Sequence, residues 1–311
     1  MIALLRIFLF PGLLFLAAFG LCLEYLDRIL YARLQNRIGP PWYQPLADLL
    51  KLLGKEAIIP ADAKPARFRT LPMISLACVV AAALYIPMAG MPAAASFDGD
   101  LIIVLYLSMV PALVSFLAGW YSRSVYATIG CTRTLTQLFS YEAPLFLSLL
   151  APALLAGSWS VAAVGDYYRA HPLYELLNIP AIIIALIAVQ GKLERVPFDQ
   201  SEAETEIVSG VYVEYSGRLL ALFRLTVDCE TVLMLSLLAQ IFLPFATGIV
   251  FVDFLLYLVK VVVLLALLTL VRAAMGRLRL EQMAAFLWKK VTPLALAEML
   301  LMLIVRGVFG L

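Results

Sequence analysis

Histidine, cysteine and charge are all scarce in this chain of 311 residues, and each scarcity removes a chemistry. The single histidine, His171, is followed by Pro172 in a predicted loop, which argues against histidine-based catalysis or metal binding. The four cysteines, Cys22, Cys78, Cys131 and Cys229, show no CxxC or other ligand spacing. That pattern excludes an iron–sulfur, haem or zinc site built on this chain and makes each cysteine a small buried hydrophobe. Only 14% of residues are charged, where a soluble domain carries about a quarter. The net charge of +2 says little about partners. Internal repeats are absent, as is a matching pair of Gly/Pro-broken spans, so an independent secondary transporter finds no support.

What is present is oil. Hydrophobic residues make up 64% of the chain and the mean hydropathy is +0.97. A span needs about 20 apolar residues, and eight such runs are predicted, over 3–26, 70–95, 100–122, 134–156, 176–193, 217–245, 248–272 and 291–310. Their length requires helices, and the alternation of barrel strands is missing. The first run is too long for a signal-peptide core and has no clear cleavage site, so it reads as a retained span. The fold class is therefore all-α: one integral membrane domain over 1–311.

Basic residues set the orientation. Loops 27–69, 123–133, 272–290 and the stretch around 194–216 hold eighteen of the 23 Lys and Arg, and all four fall on one side of an eight-span chain. The other loops hold only Arg169. The expectation is a multi-pass cell-membrane protein with these loops cytoplasmic and both termini outside. Within 27–69, Pro45 opens a run in which Leu46, Leu49, Leu50, Leu52 and Leu53 recur at helical spacing. This predicts an amphipathic helix in the interface plane, either a generic surface helix or one framing an entrance.

The acidic stretch "ERVPFDQSEAETEIVSGVYVEYSG" (194–217) lies between two spans. Pro197 stops the fifth span, and Ser201 with Glu204 fits a capping box. A helix reaching back would put Asp199, Glu202 and Glu206 on one face, where crowding raises carboxyl pKa values as a proton relay requires. The competing reading is a solvated acidic cap. Acids inside spans, namely Glu24, Glu142, Asp228, Glu230, Asp253 and Glu298, face either a bundle interior, a water path or an ion pair with Arg224 or Lys260. Glu24 and Asp253 stand close to span ends. Glu142 is the sharpest case, inside "SYEAPLFLSLLAP".

Six segments in order, "ARLQNRIGP" (32–40), "ADLLKLLGKE" (47–56), "SYE" (140–142), "RVPFDQSEAETEIVSGVYVEYSG" (195–217), "ALFRL" (221–225) and "VRAAMGRLRLEQMAAFLWKK" (271–290), resemble one family over nearly the whole chain. It is the membrane-anchor subunit shared by respiratory complex I and the energy-converting hydrogenases. The resemblance implies a non-catalytic subunit that binds no cofactor itself. Its partners would be hydrogenase-like large and small subunits, an iron–sulfur subunit and antiporter-like membrane subunits, set in membrane lipid and with no nucleic acid. Those partners would carry iron–sulfur clusters and, in the hydrogenase branch, a [NiFe] centre. By the same resemblance Glu142, Asp199, Glu202, Glu204, Glu206 and Glu214, with Asp228 and Glu230 nearby, would relay protons. Arg37, Arg133, Arg195, Arg272, Arg277 and Arg279 would supply the basic docking side.

"PWYQPLADLLKLLGKE" and Gly276 resemble the [NiFe]-hydrogenase branch and its sulfur-reducing relatives more than complex I. Arg195 and "WKK" (288–290) are complex I-like, which keeps a quinone chamber as the alternative. Lys192 and Val227 stand where the family tends to carry acids, so a conduit there would be rerouted or broken.

Overall fold

The computed structural model describes residues 2–309, without the side chains of Ile2, Ala3, Glu204, Thr205 and Phe309. Fourteen helices follow one another among these residues: α1 (Ile2–Phe8), α2 (Leu13–Leu34), α3 (Gln44–Gly54), α4 (Pro65–Ala83), α5 (Asp100–Ser122), α6 (Val125–Ala156), α7 (Val161–Ala170), α8 (Pro172–Glu175), α9 (Ile179–Lys192), α10 (Glu204–Ile207), α11 (Gly217–Phe242), α12 (Val250–Ala274), α13 (Leu280–Phe286) and α14 (Thr292–Phe309). No strand occurs among them. Eight helical segments are long and apolar enough to cross a membrane. The protein is an all-α polytopic membrane protein.

The span boundaries differ from expectation where polar residues continue a helix. The sixth helix begins at Val125 rather than 134, so Arg133 lies on it and not in a loop. In this polar lead-in Thr128, Thr132 and Thr134 each donate to a carbonyl three or four residues back, so their hydroxyls are satisfied within the helix. Likewise the last span begins at Leu280, so Lys289 and Lys290 are helical and Arg272 belongs to α12. The first span is interrupted at residues 9–12, around Pro11 and Gly12. Cys131 and Cys229 are buried as expected, but Cys22 is exposed on α2 and Cys78 is half-exposed.

Helix α11 is the axis of the bundle. It packs against α2, α3, α4 and α12, while α6 gathers α5, α9 and α14. Proline inside α4, α5 and α6 (Pro72, Pro111, Pro144, Pro152) is accommodated because neighbouring helices shield the weakened turns. The predicted amphipathic helix forms as α3, with Pro45 in its first turn. It sits on α2 and α11 and leaves Leu46, Leu50 and Leu53 exposed, as an interfacial helix does.

Candidate functional site

The acidic stretch starts where α9 ends at Lys192. Glu194 takes a left-handed φ of 52°, a conformation costing a side-chain-bearing residue about 1–3 kcal/mol and held only by its surroundings. Those surroundings are explicit. Gln137 donates to the Gly191 carbonyl at 2.6 Å and Gln190 to the Val196 carbonyl at 2.6 Å. Leu278 N donates to Pro197 O at 3.1 Å, and Gln200 donates back to the Leu278 carbonyl. Gly210 (φ +50°) lets this segment close: a Cβ there would lie 1.8 Å from the Ser201 carbonyl oxygen.

This tertiary pinning overrides the local capping signal. Ser201 is buried, and the helix is a single turn, α10, whose N-cap is Ala203 without a side-chain bond. The expected shared face for Asp199, Glu202 and Glu206 is therefore not formed. Asp199 and Glu202 turn inward. Glu206 is exposed and pairs with Arg133 at 2.5 Å, which holds its carboxyl below the usual range. The Glu204 side chain lies outside the described residues. Glu214 is half-buried and stands apart from the inward acids.

The inward acids line a cavity of about 460 Å³ between α2, α3, α11, α12 and the stretch after α9. Seven carboxylates (Glu24, Asp27, Asp48, Glu194, Asp199, Glu202, Asp228) face four arginines (Arg28, Arg195, Arg224, Arg272). Asp27 is its anchor: it accepts from Arg272 at 2.8 Å, Arg195 at 3.2 Å and the Thr269 hydroxyl. Arg28 joins Glu24 to Asp48, the latter at 3.0 Å, and thereby ties α2 to α3. Arg224 meets Glu202 at 3.1 Å. Gly217 (φ +55°) brings the start of α11 against the segment after α3, since a Cβ there would lie 2.4 Å from the Glu56 carbonyl oxygen.

Glu194 is the junction. It also lines a second, much smaller cavity of about 30 Å³ with Lys192, Tyr212 and Glu230, large enough for a water or two. Burial, opposed by Ser201 and reinforced by Glu202, Glu230 and Asp199, pushes its carboxyl up to about 8. Beyond it, Lys192 and Glu230 form a buried ion pair at 2.8 Å, with side chains 2% and 9% exposed. Lys192 also donates to the Ser108 carbonyl, in the turn of α5 that Pro111 weakens. Its ammonium lies 5.8 Å from the Tyr141 ring and within electrostatic reach of Glu142. The ion-pair partner of Glu230 is thus Lys192, not Arg224 or Lys260. The series runs from cavity acids through Glu194 and Lys192–Glu230 to Glu142, an arrangement able to hold and pass protons.

Of the basic candidates, Arg195 and Arg272 turn inward onto Asp27. Arg37 and Arg279 are exposed. Arg277 turns two guanidinium nitrogens into the protein, near enough to lower Glu206 further. Sequence reasoning misses Asp27 and Arg28, although Glu24, Asp27 and Arg28 recur within about one turn of α2. The signal that points there is the question of what neutralises Arg272. Among the described residues no group of three or more His, Cys, Asp or Glu could hold a metal ion.

A family described as NADH dehydrogenase matches residues 7–303. The chain is 33% identical over 284 residues to a subunit of the NADH-quinone oxidoreductase of Dehalococcoides mccartyi, covering 89% of this chain and 80% of that one. It is 35% identical over 292 residues to the equivalent NADH-quinone oxidoreductase subunit of Syntrophotalea carbinolica, covering 88% and 87%. With NADH-quinone oxidoreductase subunit 8 of Thermus thermophilus it shares 33% identity over 310 residues, 95% of this chain and 84% of that one. Among solved structures it superposes on a chain of the membrane-bound sulfane sulfur reductase, an archaeal respiratory membrane complex. The TM-score is 0.85 at 25% identity, over 97% and 98% of the two chains.

Proposed function

Since this chain belongs to the NADH dehydrogenase family, we propose that it is the non-catalytic membrane-anchor and coupling subunit of a multi-subunit energy-converting redox complex. Residues 1–311 act as one integral membrane unit in the cell membrane. Loops 27–69 and 194–216 lie on the cytoplasmic side, where Arg37, Arg133, Arg277 and Arg279 with Glu206 and Glu214 meet a peripheral electron-transfer arm. Iron–sulfur clusters reside in that arm. The observation that carries this reading is the series from the charged cavity through Glu194 to the buried Lys192–Glu230 pair, with Glu142 within electrostatic reach of Lys192. Redox events at the arm change the charge at the cavity. The carboxylates pass that change toward antiporter-like neighbours as a proton shift, by way of Glu230 in its buried pair with Lys192. The cation at position 192 therefore reroutes the conduit instead of breaking it.

The likeness to the sulfane sulfur reductase, with the hydrogenase-like sequence after "RIGP", supports a membrane-bound [NiFe] hydrogenase or a sulfur-reducing complex. The quinone oxidoreductase relatives and the amphipathic helix bounding the cavity favour a second reading, a quinone-chamber subunit. The test is Glu230→Gln and Glu142→Gln in the assembled complex, reconstituted in liposomes. Ion transport should fall by roughly a hundredfold, the scale of one positioned proton donor, while electron transfer persists. Normal pumping in both variants would refute the relay. Nickel with hydrogen evolution from reduced ferredoxin assigns the hydrogenase branch. Polysulfide reduction without nickel assigns the sulfur branch, and quinone reduction the second reading.

A further inference from the structure

At the opposite ends of α11 and α12 from the charged cavity lies another cavity, of about 240 Å³. Its walls carry Asp166, Arg169, Ser236, Gln240, Asp253 and Lys260. Ser236 lies six residues inside the end of α11, about 9 Å deep, and Lys260 ten residues inside the start of α12, about 15 Å along it. The hydrocarbon core is about 30 Å thick, so the backbone of Lys260 sits near the middle of the span.

A mid-span ammonium needs hydration or a partner. The Lys260 ammonium donates to the Phe245 carbonyl and makes no carboxylate ion pair among the described residues, which leaves N–H donors for water. The carboxylates around it are already committed. Asp253 accepts from Thr247 N at 2.6 Å, Thr247 Oγ1 at 2.9 Å and Gly248 N at 3.1 Å. Asp166 pairs with Arg169 at 3.0 Å. The walls thus offer no spare anion to hold a cation tightly. A polar cavity of this size holds several waters at ~30 Å³ each, whereas an apolar one stays dry.

Between this cavity and the Lys192–Glu230 pair α11 is sealed. Val232, Leu233, Met234 and Leu235 are each 0% exposed. Ser236 hydrogen-bonds Tyr257 at 2.7 Å, and counting antiparallel from that pair sets Val232 against Val261, also 0% exposed. The dry layer from Thr231 to Ser236 is about 7 Å thick.

We propose that this cavity is a water-filled well giving protons access from the face opposite the charged cavity as far as Ser236 and Tyr257, and that Val232–Leu235 seals the two apart. Only its use in transport rests on the relay described above. The experiment places single cysteines in the whole complex and applies a membrane-impermeant cationic methanethiosulfonate reagent to right-side-out and inside-out vesicles. The parent complex, with its native cysteines, is the baseline. Gln240→Cys and, on α7, Ala162→Cys should react from one face only. Val227→Cys in the charged cavity should react only from the other, and Leu233→Cys from neither. Protection of both Gln240→Cys and Ala162→Cys, or their reaction from both faces alike, would overturn the well. Reaction of Leu233→Cys would overturn the seal. An unreactive well beside a Glu230→Gln variant that fails to pump removes the well and leaves the relay. A reactive well beside normal pumping does the reverse.

Discussion

The acidic stretch divides into two halves with opposite surroundings. In 194–202 the acids turn into the bundle: Glu194, Asp199 and Glu202 share a cavity with Arg195, Arg224 and Arg272. In 204–214 the described acids do not join them, and Glu206 meets solvent with Arg133. Each half carries three acids. The difference comes from what the backbone is pinned to: Pro197 and Gln200 are tied to Leu278, whereas Glu206 stands on the single turn of α10 beside Arg133. A carboxylate held inward must be paired or protonated. One held outward is free to serve a partner at little cost to the fold.

The largest effect that would separate the halves is at Asp27, which joins the inward half to α2. Removing one partner of a buried pair leaves uncompensated charge and costs about 3–5 kcal/mol. Asp27→Ala strands Arg195, Arg272 and Thr269 together, so its loss belongs at the upper end of that range. Thermal unfolding of the purified complex would show it, and a midpoint close to wild type would break the comparison.

Next in size is the Lys192–Glu230 pair. Either Lys192→Met or Glu230→Gln alone leaves a buried polar group without its partner. The double variant removes both charges and should be less destabilised than the sum of the two singles, by about 1–3 kcal/mol. Additive losses would mean that the pair is not coupled, and the series through it would lose its central link.

Glu194 sharpens the comparison through pH. Its carboxyl is raised from 4.5 to about 8. Between these values the folded protein keeps a proton that the unfolded chain has released, so stability falls as pH rises through this window. Glu194→Gln mimics the protonated group and removes that slope. The variant should gain on wild type progressively from about pH 4.5 to about pH 8 and then run parallel to it. Parallel profiles throughout would show that burial does not tune this acid.

The eight spans were legible because length and hydropathy alone define them, and α3 because proline and leucine spacing agree. The start of α6 was not legible: "ATIGCTRT" is too polar for a span, yet it is helical, with its threonine hydroxyls satisfied on the helix's own carbonyls. The acids were visible in the sequence, but their partners were not. Asp27 meets Arg195 across 168 positions and Arg272 across 245, and no local pattern reports such pairs. The capping box at Ser201 failed for the related reason that a local preference worth about 1 kcal/mol yielded to contacts made from α6 and the 275–279 segment.

The smallest effect lies in the outward half. The side chains of Glu206 and Arg133 are 52% and 22% exposed, and such pairs contribute about 0–1 kcal/mol, screened further by salt. Glu206→Gln should therefore leave the thermal midpoint of this subunit nearly unmoved. If the outward acids instead serve a docked arm, the variant should release that arm at lower salt than wild type while α-helical content and midpoint stay the same. A salt titration of arm retention on washed membranes reads this directly. Unchanged retention would remove Glu206 from the docking surface. A loss of stability as large as that of Asp27→Ala would erase the distinction between the two halves.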